Sequence, residues 1–318
     1  MAQPFFLGMV ALTYGATWRS ALDAVRFADR LGYDSLWTWD HLHAIVGDPQ
    51  QAIFEGYVTL GAWAAATERV KLGLMVGANT FRNPGLVVKS ITTLDHASGG
   101  RAILGIGGAW FEYEHTAHGI DFGTGFGQRL TWLDEAAAAM RTLLDGGTVT
   151  SKPGGRYAFR DLHHVPDPLQ RHVPIMIGGT GRTKTLRTIA RYGDQWNAAG
   201  TPELLRELGP ILDGYLDEEG RPRDAIERTS NLWMIIRDSE AEARRVWNET
   251  MATNVKAVDE GMIAEQRPIL GPVEKVAARI REYVDAGFPT QIVEVPAPYD
   301  PETLERLIGE VQPLVERG

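Results

Sequence analysis

Eight short apolar segments rich in β-branched residues, each followed by a stretch with helical apolar spacing, set the pattern of this 318-residue chain. The segments are 5–12, 35–39, 71–77, 102–106, 174–177, 195–198, 230–237 and 291–295. Short apolar runs bounded by turn residues read as strands buried on both faces, which is how parallel strands look. Between them the period changes to 3.6: Trp18, Leu22, Val25 and Leu31 precede a terminating Gly32. Thr201-Pro202-Glu203 opens another helix, and Gly271-Pro272 opens the last crossover helix. One βαβ unit is written out in full. Asn83-Pro84 supplies a cap and a first-turn proline, Ser98-Gly99-Gly100 stops the helix, and 102–106 is the next buried strand.

Eight βα units predict a closed (β/α)8 barrel forming a single domain over 1–318, with a doubly wound open sheet as the alternative. The spacing is uneven, and the longest gaps mark two insertions, about 111–173 and 251–270. The first holds an amphipathic helix over about 128–144. Glycine-rich turns and alternating residues follow at 146–159, and they predict a β-hairpin or covering loop that lids the barrel mouth. The second reads as helical and mixed in charge, a second mouth cover or a subunit contact.

Composition narrows the function classes. Hydrophobic content of 44% and charged content of 23% describe an ordinary soluble protein, and no apolar run is long enough to span a bilayer. The start, Met1-Ala-Gln-Pro, has no basic segment leading into a cleavable hydrophobic one, so a cytoplasmic location and no membrane partner are expected. Zero cysteines remove disulfides, thiolate metal sites and a cysteine nucleophile together. A net charge of −9 argues against a broad nucleic-acid surface.

In a barrel, ligands meet the carboxyl ends of the strands. Asp40 and His41 lie just past the second strand, where an imidazole could act as acid or base and the carboxylate could bond ligand or protein. A helix-capping Asp beside surface histidines is the structural alternative. His41 and His43 also form the His-x-His of metal-dependent barrel hydrolases, but such a site needs further ligands. The fifth and sixth strands end in Gly178 and Asn197, and only Glu294 lies near the tip of the eighth, so no metal is expected. His115, His118, His163 and His164 read as solvated or capping. After the fifth strand, Gly178-Gly179-Thr180-Gly181-Arg182-Thr183-Lys184 runs into a helix. Backbone N–H groups at that helix start, with Arg182 and Lys184 beside them, favour a phosphate. The run is neither a Walker loop nor a dinucleotide fingerprint.

Six segments in order resemble the luciferase-like monooxygenase superfamily, in particular its coenzyme F420-dependent oxidoreductases. They are Leu36-Trp-Thr-Trp-Asp40-His41, Asn79-Thr-Phe-Arg-Asn-Pro84, Thr93-Leu-Asp95 with Ser98-Gly-Gly-Arg101, Gly105-Ile-Gly-Gly-Ala-Trp110-Phe-Glu-Tyr-Glu-His115, Pro174-Ile-Met-Ile-Gly-Gly179 with Lys184-Thr-Leu-Arg187, and Asp194-Gln-Trp-Asn197. The resemblance implies a barrel that holds a deazaflavin, or FMN as the alternative, at its mouth, with the phosphate on the loop after the fifth strand. It implies a non-prolyl cis peptide between Met75 and Val76 backing the ring. Asp40 would contact the ring, His41 would lie near the reactive carbon, and Asn79, Gly107, Thr180 and Asn197 would complete the cofactor contacts with the phosphate loop. A homodimer is the family expectation.

The glucose-6-phosphate dehydrogenases of that branch carry acidic residues at positions that here match Thr13 and Trp110. A sugar phosphate is therefore a poor expectation, and Thr13, Trp37, Trp39, Trp110 and Phe111 are expected to wall an apolar substrate pocket, with barrel core as the alternative for the tryptophans. The sequence reading is thus a hydride-transferring, F420-dependent oxidoreductase acting on a small apolar molecule. An FMN-dependent, oxygen-using monooxygenase and a cofactor-binding protein without turnover are its alternatives.

Overall fold

The computed structural model describes residues 5–254 and 268–317. Eight parallel strands close into a ring: β1 (Phe6–Ala11), β2 (Ser35–Thr38), β3 (Lys71–Leu74), β4 (Ala102–Gly107), β5 (Ile175–Gly178), β6 (Gln195–Asn197), β7 (Glu227–Ile236) and β8 (Thr290–Val295). Neighbours in sequence are neighbours in space, and β8 pairs with β1 from Phe6↔Thr290 to Ala11↔Val295. The barrel expectation holds and the open sheet is excluded.

The surrounding helices start and stop where the sequence carries caps. In α1 (Trp18–Leu31) the Thr17 side chain accepts from the Ser20 N–H, and Gly32 ends the helix with φ 104°. After α2 (Gly56–Ala66), helix α3 (Pro84–Ser98) is capped by Asn83 and closed by Gly99 at φ 69°. Glycine at these ends takes the left-handed conformation without a Cβ penalty. The buried faces of these helices join the strands' outward side chains in one core layer.

The barrel interior is packed rather than open. Val10, Trp37, Ile103, Met176, Trp233 and Ile292 fill it from six strands. Trp37 fits because Gly8 and Gly73 flank it: a Cβ on Gly73 would sit 2.6 Å from the indole. Its Nε1–H donates to Ser35 Oγ at 2.8 Å, so the buried ring leaves no unpaired donor.

Three expectations need correction. The predicted strand 71–77 breaks after Leu74, where the Met75–Val76 peptide is cis, and resumes as Gly77–Ala78 beside β4. Residues 148–170 do not lid the mouth. Thr148–Val149 pairs with Leu162–His163, and the segment then descends the outside of the barrel along α3. His164 bonds Thr92 at 2.8 Å, His96 donates to the Asp167 carbonyl at 2.9 Å and Gln170 N–H donates to Asp95 at 2.9 Å. Finally, residues 269–270, read as part of a helical insertion, lie in a strand (Ile269–Gly271) paired with the end of β7. The helical part of that expectation is met up to Asn254, and its remainder over 255–267 lies outside the described residues.

Candidate active site

Glycines at the ends of β4 and β5 shape the floor of the mouth. The Val76 side chain projects across them, and a Cβ at Gly107 or Gly178 would lie 2.7 or 2.8 Å from its Cγ2. Only glycine admits this side chain on that side, so the Val76 methyls lie directly against the backbone of both strand ends. Above this floor opens a cavity of about 390 Å³ at the carboxyl ends of the strands. Trp39, Ile45, Met75, Trp110 and Phe126 form its apolar walls, and Asp40, His41, Glu114, Asn197, Asn231 and Glu294 supply its polar groups.

His41 is held by a helix that follows β4. Helices α4 (Glu112–His118) and α5 (Phe126–Leu144) stand over this edge of the mouth, and α4 aims the buried Glu114 at the loop after β2. His41 Nδ1 lies 3.0 and 3.2 Å from the two Glu114 oxygens, and the Leu42 N–H donates to the same carboxylate at 2.9 Å. A carboxylate only accepts, so Nδ1 carries the proton, and in the neutral imidazole Nε2 then holds the lone pair. Trp39, Trp110 and Phe111 surround the imidazole edge-on, with centroids at 5.7, 5.7 and 6.0 Å.

Asp40 is engaged elsewhere. Arg82 forks onto it at 2.7 and 2.9 Å, and the Ala78 N–H donates to it at 3.0 Å. Burial pushes this carboxyl up, and the Arg82 guanidinium opposes that shift. Arg82 also pairs with Glu55, the residue that caps α2. Asp40 therefore ties the loops after β2 and β3 to α2. Among the described residues no cation pairs with Glu294, and burial pushes its carboxyl up to about 7.

The loop after β5 leads into α6 (Lys184–Tyr192), whose first turn has no side-chain cap. Gly179 holds φ 132° and its N–H donates to the Asn197 carbonyl at 3.0 Å. The two cations expected to add charge are committed to protein partners. Arg182 pairs with Glu207 at 2.7 Å, and Lys184 Nζ donates to the Gly127 carbonyl and Thr131 Oγ1, both at 2.8 Å.

The sequence model of the luciferase-like monooxygenase family matches residues 4–290. The chain belongs to that family. An uncharacterised Mycobacterium tuberculosis protein is 31% identical over 195 residues, a match covering 54% of this chain and 65%, just under two thirds, of that relative's length. An F420-dependent glucose-6-phosphate dehydrogenase of Microbacterium testaceum is 30% identical over 311 residues, covering 91% of this chain and 90% of that one. Among solved structures, an F420-dependent secondary alcohol dehydrogenase with an F420-acetone adduct superposes with a TM-score of 0.84. It is 20% identical and covers 98% of this chain and 99% of that one. A type II Baeyer-Villiger monooxygenase of Pseudomonas putida in complex with FMN has a TM-score of 0.72 at 19% identity, covering 98% and 99%.

In this luciferase-like chain the fold gathers most of the residues singled out from sequence. Trp39, Asp40, His41, Met75, Val76, Gly107, Trp110, Gly178, Gly179, Thr180 and Asn197 all line the cavity. Six do not. Trp37 is buried in the barrel interior. Asn79 is buried with its amide donating to the Arg129 carbonyl at 3.0 Å, and Thr13 Oγ1 accepts from the Phe54 N–H at 3.5 Å. Phe111 lies behind Trp110 at a centroid distance of 5.4 Å, Gly181 packs on Thr185, and Lys184 turns to α5. Asp95 and Arg101, part of the resemblance, work at the opposite end: Arg101 binds the Ala64, Thr67 and Val70 carbonyls at the end of α2.

The His-x-His pair does not converge. His43 Nδ1–H donates to the Pro49 carbonyl at 3.0 Å while His41 faces Glu114. Among the described residues no group of three or more His, Cys, Asp or Glu comes together to hold a metal ion. His115 is buried rather than solvated: it donates from Nδ1 to the Phe111 carbonyl at 2.8 Å and accepts from the Thr80 hydroxyl at 2.7 Å. Burial holds its pKa below the usual imidazole value. Sequence reasoning did not single out Glu114, Arg82 or Asn231, and considered Glu294 only as a metal ligand. Glu114 alone had a usable signal, an acid on the helix directly after a glycine-ended strand.

Proposed function

We propose that this protein is an F420-dependent oxidoreductase that transfers a hydride between the deazaflavin and a small, largely apolar alcohol or carbonyl compound. The observation that carries the reading is the His41–Glu114 pair, set beside a floor of glycine backbone and Val76 at the barrel mouth. The site fits a planar ring. Gly107, Gly178 and Val76 offer a flat, side-chain-poor surface, and Asn197 and the uncapped start of α6 would hold the chain and phosphate of such a cofactor.

The bound deazaflavin supplies a two-electron acceptor or donor of hydride. In the oxidative direction His41 Nε2 takes the proton from the substrate hydroxyl as hydride leaves the adjacent carbon. Glu114 fixes the tautomer that leaves this lone pair free and stabilises the imidazolium that forms. In the reverse direction the same imidazolium returns the proton. Trp39, Trp110 and Phe126 exclude water from the apolar side. The absence of an acid at Thr13 and Trp110 supports a substrate other than a sugar phosphate.

A titration of the apo-protein with F420 and FMN side by side, read by cofactor fluorescence, tests the reading. Tight binding of F420 alone supports it. Preference for FMN moves the protein to oxygen-using chemistry, and binding of neither removes the cofactor assignment. His41→Ala then separates turnover from binding: it should abolish F420 reduction and leave F420 affinity in place. The assembly is read as a homodimer, supported by the outward face of α2, where Val58, Gly61, Ala62 and Ala65 are apolar beside the exposed Leu86. Sedimentation at twice the chain mass is expected.

A further inference from the structure

Three carboxylates line the cavity, and two of them are occupied by partners. Asp40 is forked by Arg82, and Glu114 holds His41 and the Leu42 N–H. Glu294 has neither a cation nor a backbone donor among the described residues. Its Oε1 accepts from Asn231 Nδ2–H, the hydrogen bond its side chain makes among the described residues, and within the same set the Asn231 Oδ1 is buried without a partner. Behind Trp39, the buried Tyr14 hydroxyl also lacks a partner among the described residues, and it is close enough for Glu294 to raise its pKa further.

These groups occupy one arc of the barrel. Glu294 sits in register with Val10 on β1 and Trp233 on β7, whereas the glycine floor and Val76 belong to β3, β4 and β5. The cavity thus has a flat, side-chain-poor end and a polar end. With the flat end assigned to the cofactor ring, as the reading above has it, the polar end faces the substrate.

We propose that Glu294, oriented by Asn231, anchors a polar group of the substrate and restricts the site to ligands whose polar group is an uncharged hydroxyl or carbonyl. A protonated Glu294 donates to a carbonyl oxygen or a hydroxyl, and an ionised one accepts from a hydroxyl. Burial keeps the two forms within reach of each other near neutral pH. The groups facing it are Asn231, the apolar Val10 and Trp233, and the phenol of Tyr14, raised by burial and so uncharged. A ligand carboxylate or phosphate at this end meets a like charge in a desolvated place, with no Lys or Arg among the described residues paired there to offset it.

The test uses cyclohexanol, cyclohexanone, cyclohexanecarboxylate and cyclohexyl phosphate as probes. Binding to the full chain is measured by ligand-observed NMR at pH 8, with and without F420. The wild type is expected to hold the alcohol and ketone at least tenfold more tightly than either anion. Glu294→Gln should shrink that preference at least fivefold and leave F420 affinity within twofold. An unchanged ratio in the variant, anion binding equal to alcohol binding in the wild type, or no alcohol binding at millimolar concentration overturns the proposal. Should E294Q melt well below the wild type, Asn231→Asp replaces it. A second carboxyl at this end should widen the preference, and an unchanged ratio counts against the anchor. If F420 binds neither protein, the cofactor reading falls, while the probe ratio still decides the role of Glu294.

Discussion

Replacing Gly178 by alanine probes the floor of the site without needing a substrate. The new Cβ would sit 2.8 Å from Val76 Cγ2 and 3.2 Å from Cγ1, against an ordinary carbon contact of about 3.5–4.0 Å. Val76 has little room to yield. A valine is stiff about χ1, and its Cγ2 already packs against the Gly107 backbone, 2.7 Å from where a Cβ at that position would stand. Overpacking of this kind costs about 1–3 kcal/mol. At roughly 2–4 °C per kcal/mol for a large domain, Tm should fall by several degrees. Urea unfolding of Gly178→Ala, Val76→Ala and the double variant gives the coupling directly. Removing the γ-methyls should restore at least half of the stability lost at 178. Gly214→Ala serves as a control, because a Cβ there meets nothing within 4 Å on the exposed side of α7 (Pro202–Glu218). It should gain roughly 0.5–1 kcal/mol. A G178A cost below about 0.5 kcal/mol, or no rescue by V76A, refutes the packing argument.

Glu114→Gln should lower kcat for F420 reduction by on the order of 10²-fold or more, because an amide can donate to Nδ1 and force the proton onto Nε2. F420 affinity should change little, and retained kcat removes Glu114 from the mechanism. Asp40→Asn leaves the Arg82 charge with Glu55 and the Tyr57 ring face among the described residues and should cost about 3 kcal/mol in urea unfolding; a loss under 1 kcal/mol contradicts the role of this pair. Asp29 gives a pH dependence. Burial raises its carboxyl, but N–H donors from Glu68, Val70 and Arg69 outweigh that and hold it below the ordinary 3.8. The folded state then binds this proton less readily than the unfolded chain. Its stabilisation is present above about pH 4 and lost as pH falls through the lowered folded value. The urea midpoint of Asp29→Asn should therefore fall less steeply than that of the wild type from pH 5 to pH 3, and parallel curves would dismiss the effect.

Local signals in the chain were enough for the barrel and for the location of its mouth. Buried parallel strands are continuous apolar runs, and their caps are local events: Thr17, Asn83 and Thr201 each sit one residue before a helix and cap it as their chemistry dictates. His41, Gly107, Gly178 and Asn197 were legible for the same reason, since a strand's carboxyl end is fixed by the strand itself. What the chain could not specify locally were partners far apart in sequence. Glu114 reaches His41 across 73 residues, and Arg82 reaches Asp40 across 42. Only the closed barrel brings those loops together, so only the tertiary structure decides that Asp40 braces the mouth while His41 keeps a free nitrogen. The insertion after β4 shows the same limit. Its alternating residues predicted a hairpin, but whether that hairpin covered the mouth or lay along α3 depended on a hydrophobic groove that exists only once the helices have packed. Glu294 is the clearest case. As one acid in a strand it carries no message, and its meaning comes from burial beside Asn231 without a cation, an environment assembled from β7 and β8.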